Sequence, residues 1–129
     1  MTPEKMSKLH SKSEANHRIW HAHEFSELLS LPGVITELHA HGFALARVVD
    51  TEAELLMIVT ETIKQNTGLA TNCLLKIEKK LSQEGAQKLT LEVSESNSAA
   101  ITVYTKLNYK GSRYENRIRV TRMENLKLH

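Results

Sequence analysis

Between residues 88 and 109 the hydrophobic period changes from two to about 3.6, which predicts a strand that turns directly into a helix. Leu89, Leu91 and Val93 alternate with polar neighbours, so they share one buried face and Glu92 points to the other. The polar run Ser94-Glu95-Ser96-Asn97-Ser98 makes the turn, with Asn97 suited to cap a helix over 97–107. That helix is built on small residues and presents Tyr104. Asn108 tolerates the left-handed conformation that ends it.

The rest of the chain supplies partners for this unit. Thr2-Pro3-Glu4 reads as a helix start: a capping Thr, Pro at the first helical position, a carboxylate near the positive dipole end. A helix or helix pair then runs through Trp20 to about Leu29, with Phe25, Leu28 and Leu29 at i, i+3, i+4, and Pro32-Gly33 stops it. Residues 34–39 and 43–49 read as strands of a hairpin joined across Ala40-His41-Gly42, and 54–59 as a third strand. Residues 68–84 form the most regular helix, with Cys73, Leu74, Ile77 and Leu81 as its apolar stripe and Gly85 as its stop. A closing hairpin, 109–114 and 117–122, has Glu115-Asn116 at its tip. The order helix, strand, strand, strand, helix, strand, helix, strand, strand predicts an α/β fold with a mixed sheet.

Composition narrows the class. A chain of 129 residues is expected to be one domain, 1–129, and 40% hydrophobic with 25% charged residues is ordinary for a soluble globular protein. A formal charge of +2 and few aromatic residues argue against a nucleic-acid partner. Cys73 is the sole cysteine, which precludes an internal disulfide and favours a reducing compartment. No apolar run nears the ~18 residues of a membrane span, and Met1-Thr2-Pro3-Glu4-Lys5 lacks the apolar core of a signal peptide. A cytoplasmic location is expected.

Gln65-Asn66-Thr67-Gly68-Leu69-Ala70 follows a strand and opens the long helix. Backbone N–H groups there have no intrahelical partner, and Gly and Ala let a diphosphate approach closely. Taken with Leu91-Glu92-Val93-Ser94-Glu95-Ser96-Asn97-Ser98-Ala99-Ala100-Ile101-Thr102-Val103-Tyr104 and Leu107-Asn108-Tyr109, the chain resembles the GCN5-related N-acetyltransferase (GNAT) superfamily. The match is closest to its ribosomal-protein-alanine N-acetyltransferase branch. The resemblance implies a mixed, mostly antiparallel central sheet flanked by helices, with acetyl-CoA as co-substrate and no metal. The strand that opens members of this family has no counterpart here, so the edge of 34–39 is expected to be free to pair with another chain, as in a homodimer, unless the true start lies upstream of Met1.

Roles follow residue by residue. By resemblance, the backbone of Ile58, Val59 and Thr60 pairs with the pantetheine arm and holds the thioester carbonyl, and Gln65, Asn66, Thr67, Gly68, Leu69 and Ala70 cradle the diphosphate. Asn97 contacts the cofactor as well as capping its helix. Glu92 is the general base and Tyr104 the general acid. Read from the residues alone, Glu92 is a solvent-facing strand carboxylate and Tyr104 a half-buried core tyrosine.

The leading acceptor is a protein N-terminal α-amine, with a ribosomal protein as the implied partner. At pH 7, freeing the lone pair costs about 1 kcal/mol for an α-amine and about 4–5 for lysine, so one carboxylate suits the former better. Relatives carry arginines where Asn66 and Thr67 stand, and here only Lys64 is near. Binding is therefore expected to rest on amide donors. The connection 112–117 turns back at once, which opens the acceptor groove and keeps a small-molecule amine as a second reading. A third is a catalytically reduced fold that binds CoA or a partner protein.

The seven histidines are expected to be solvated: His23-Glu24-Phe25-Ser26-Glu27 lacks the second His of the H-E-x-x-H zinc motif. Lys76, Lys79 and Lys80 are expected to form a solvated helix face that could meet a ribose phosphate, and Cys73 to be inert core.

Overall fold

The computed structural model describes residues 1–13, 20–61, 64, 67–114 and 117–122, with side chains throughout except at 113, 114, 117–120 and 122. Two helices open it, α1 (Pro3–Ser11) and α2 (Ala22–Leu29). Three antiparallel strands follow, β1 (Val34–His39), β2 (Gly42–Val49) and β3 (Glu52–Thr60). Helix α3 (Leu69–Gln83) crosses over to β4 (Lys88–Ser94), and α4 (Ser98–Lys106) leads to the hairpin β5 (Lys110–Tyr114) and β6 (Arg117–Arg122). The six-stranded sheet has the order β1-β2-β3-β4-β6-β5. Among the described residues only the β3–β4 pairing is parallel, as the helical crossover requires.

Local chemistry accounts for the element ends. Thr2 caps α1, its Oγ1 accepting from Lys5 N–H, and Pro3 stands at the first position. Asn108, at φ +66°, takes the left-handed place after α4.

Each sheet face carries its own core. On one, α3 and α4 pack through Cys73, Leu74, Ile77, Leu81 and Tyr104 onto Ala44, Ala46, Ala53, Leu55, Leu89, Leu91 and Val93. The alanines under α3 let the helix lie close. On the other, Met6, Leu9 and Phe25 from α1 and α2 cover Phe43, Leu45 and Val59. A β-bulge joins the two patterns. Leu45 faces Met57 but Ala46 faces Leu55, so Leu56 is an extra residue in β3. Its effect is a change of phase: Ala53 and Leu55 point to the α3 face, and beyond the bulge Ile58 does, while Leu56, Met57 and Val59 face α1 and α2.

Strand β1 lies at the sheet edge. Val48 N–H donates to Gly33 O, so by alternation the backbone groups of Val34, Thr36 and Leu38 face outward. Lys80 of α3 reaches that edge, its Nζ 2.7 Å from Thr36 O and 2.6 Å from the Glu37 carboxylate. Lys76, Lys79 and Lys80 are all exposed, as expected of a solvated helix face, and Lys80 in addition pairs with an edge carbonyl and a carboxylate within its reach.

Candidate functional site

Strands β3 and β4 pair at Glu52–Lys88, Ala53–Leu89 and Glu54–Thr90. Among the described residues no ladder joins 55–60 of β3 to 91–94 of β4. The parting begins at the Leu56 bulge. β4 remains paired to β6 on its far side, from Leu89–Arg122 to Ser94–Arg117, and β3 remains paired to β2. The result is a slot between two strand edges, open toward the ends that lead into α3 and α4.

At one end of the slot stands the start of α3. Gly68 is its N-cap at φ +85°, and no side chain caps it. Asn72 N–H donates to Gly68 O at 3.0 Å, and no acidic residue occupies the first turn. A Cβ at Gly68 would meet no described atom within 4 Å, so the space beside the cap residue itself is open. Upstream, Lys64 N–H donates to Glu61 O and Thr67 Oγ1 to Lys64 O, which curls the chain into the helix. Thr67 is exposed, and Leu69 and Ala70 are half-buried. Gln65 and Asn66 lie outside the described residues.

Ile58 is half-buried on the α3 face, and Val59 and Thr60 are buried. Across the slot, Glu92 is exposed on the face opposite Leu91 and Val93. Asn97 caps α4, its Oδ1 accepting from Ala100 N–H at 3.2 Å. Tyr104 comes from α4 into the core shared with α3, where it is 6% exposed. Burial pushes its phenol up to about 12, because the charged form is poorly solvated there. Glu92 and Tyr104 therefore belong to opposite faces of β4.

One polar pair lies outside the residues picked from the sequence. Tyr109 OH donates to Glu78 Oε2 at 2.5 Å inside the core. The signal was available: Leu74, Ile77, Glu78 and Leu81 have i, i+3, i+4, i+7 spacing, which puts the carboxylate on the buried stripe.

His10 corrects the expectation that the histidines are solvated. It is 2% exposed, its Nδ1 accepts from Trp20 N–H at 3.1 Å, and its ring meets Phe25 edge-on. The fold buries it because it faces inward from α1 beside Met6 and Leu9. Among the described residues no group of three or more His, Cys, Asp or Glu could hold a metal ion. Cys73 is buried, and burial followed by the nearby Glu37 carboxylate pushes its thiol up to about 11. A water-sized cavity of about 30 Å³ lies between β1 and α3, lined by Glu37, His39, Leu69, Asn72, Cys73 and Lys76. It sits three strands from β4 and is too small for a nucleotide. No helix among the described residues is long and apolar enough to cross a membrane.

A sheet parted beside a bulged strand, with a glycine-capped helix at its mouth, is the architecture of the GNAT acetyltransferases, and solved structures of that class superpose on the chain. The ribosomal-protein-S18-alanine N-acetyltransferase from Escherichia coli is 23% identical with a TM-score of 0.77, over 92% of this chain and 84% of that one. NAA60 from Arabidopsis thaliana, in complex with acetyl-CoA, is 13% identical with a TM-score of 0.77, over 95% and 93%. The PaiA N-acetyltransferase from Thermoplasma acidophilum, in complex with coenzyme A, is 19% identical with a TM-score of 0.69, over 80% and 69%. The chain itself belongs to the FR47-like protein family, a GNAT-like family whose model matches residues 33–120. No curated protein matches the sequence.

Proposed function

We propose that residues 1–129 form one N-acetyltransferase domain that moves the acetyl group of acetyl-CoA to an amine by direct attack in a ternary complex. The observation that carries this reading is the slot between 55–60 of β3 and 91–94 of β4, with the open first turn of α3 at its mouth. Two strand edges without ladder bonds between them suit an extended ligand arm that carries its own amides. The uncapped amides of Leu69 and Ala70, behind Thr67 and Gly68, suit a diphosphate. Gln65 and Asn66 complete that loop in the proposal. Ile58, Val59 and Thr60 offer backbone groups to the arm, and Asn97 shares its amide between cap and cofactor.

Acetyl-CoA supplies an activated acyl group. The amine nitrogen bonds to the acyl carbon, the carbon–sulfur bond breaks, and one amine proton must leave. Glu92 takes that proton, directly or through a water. Tyr104 faces the departing sulfur. A phenol near 12 is a weaker acid than a thiol at about 8.5, so Tyr104 acts chiefly by donating a hydrogen bond to the thiolate. A protein N-terminus, of the alanine type found on ribosomal proteins, is the leading acceptor, since one carboxylate suffices for an α-amine. The likeness to a ribosomal-protein-S18-alanine N-acetyltransferase supports it. A cytoplasmic location accords with this acceptor. Pairing of two copies through β1 would have to displace Lys80 from Thr36 O.

Glu92→Gln should lower turnover mainly below about pH 8, where the amine is protonated, with acetyl-CoA affinity nearly unchanged. Tyr104→Phe should lower it at every pH. Thiol-release assays with N-terminal peptides and with polyamines check this and separate the acceptors. Wild-type turnover in either variant would remove that residue from the mechanism.

A further inference from the structure

Glu78 has no exposed surface, sits on α3 among Leu74, Ile77 and Leu81, and has no part in the chemistry above. Its Oε2 accepts from Tyr109 OH at 2.5 Å. Tyr109 is itself 6% exposed and is tied to Tyr104 twice. Its N–H donates to Tyr104 O at 3.0 Å, and the two rings lie 5.5 Å apart at an interplanar angle of 57°. Burying a carboxyl group is costly, and an apolar pair of similar volume would fill the space without that cost. What the pair adds is direction. A short hydrogen bond fixes where the Tyr109 ring points, and the ring limits where Tyr104 can go.

We propose that Glu78 and Tyr109 are positioning residues for Tyr104. They lock its ring to α3, the helix whose first turn is the proposed phosphate cradle. Helix α4 has nine residues, too few to hold a fixed geometry without tertiary anchors. α3 has fifteen and is packed against three strands. Glu78 lies ten residues beyond Gly68, roughly 15 Å along the helix axis. One rigid element thus sets the distance between the diphosphate end of the ligand and the phenol at its thioester end. This inference rests on the N-acetyltransferase reading.

The test uses Tyr109→Phe, which keeps the ring but loses the hydroxyl, and Glu78→Gln, which keeps an acceptor oxygen. Tyr109→Phe should lower kcat for acetyl transfer about tenfold, with KM for acetyl-CoA unchanged, and Glu78→Gln should retain more of the rate. With ring-labelled tyrosine, the NMR signal that disappears in Tyr104→Phe should shift or broaden in Tyr109→Phe. If Tyr109→Phe fails to fold, Glu78→Leu, which removes the acceptor, carries both readouts. Should kcat and the Tyr104 signal stay at wild-type values while the melting temperature falls, the pair is structural only and the inference is overturned. If the wild type transfers acetyl to no amine, the enzymatic reading fails instead, and the Tyr104 signal alone decides the coupling.

Discussion

Tyr104 sits where burial and chemistry pull in opposite directions. The core that fixes its ring also suppresses its ionisation, with the phenol pushed up to about 12. A neutral phenol is a steady hydrogen-bond donor across the working range, so the activity should show no alkaline limb from this group. The same shift carries a stability consequence. Between about pH 10, where an unfolded tyrosine ionises, and the folded value, the native state binds one more proton than the unfolded state. Stability therefore falls as pH rises through that window. The advantage of wild type over Tyr104→Phe should shrink there by on the order of 2 kcal/mol, readable by urea unfolding at successive pH values. A constant difference would mean that the hydroxyl is better solvated than the packing implies.

Among the elements, β3 and α3 shape the slot, and two glycines show how differently backbone can matter. Gly42 opens β2 against Thr60, and a Cβ there would fall 1.9 Å from Val59 O. Two strand backbones meet at that point, so nothing flexible can yield. Gly68 has the reverse situation: open space around it, but φ +85°. Gly42→Ala should cost at least about 3 kcal/mol and lower expression. Gly68→Ala should cost only about 1–2 kcal/mol yet weaken acetyl-CoA binding, because relief of the left-handed strain shifts the first amides of α3 that the proposed cradle uses. Thermal unfolding with and without acetyl-CoA separates the effects. Equal destabilisation, with equal protection by the ligand, would contradict both assignments.

For the whole molecule, two cores press on the sheet from opposite sides, and the β3–β4 parting is a place inside the sheet where, among the described residues, strand edges share no ladder. Charge contributes little to this design. The formal net charge is +2, and no basic residue stands among 65–70. Cofactor affinity should thus come from amide geometry rather than ion pairing. Calorimetric titration of acetyl-CoA should show a shallow dependence on salt, because screening weakens charge pairs far more than short hydrogen bonds. A steep rise in affinity as salt falls would point to cations that reach the phosphates from elsewhere, Lys76 or Lys79 of α3 among them.

The elements were written locally. Strand alternation around Leu89, Leu91 and Val93, the stripe through Cys73, Leu74, Ile77 and Leu81, the caps at Thr2 and Asn97 and the left-handed Asn108 each depend on neighbours a few residues away. Periodicity and capping chemistry therefore reveal them. The family resemblance was legible too, because its motifs are short runs. Long-range packing decided the rest. The extra residue at Leu56, the end of the β3–β4 ladder at Glu54 and Thr90, the burial of His10 and the joining of Glu78 to Tyr109 all bring together residues distant in the chain. A hydrophobic period says which side of an element is inward; it does not say which other element waits there.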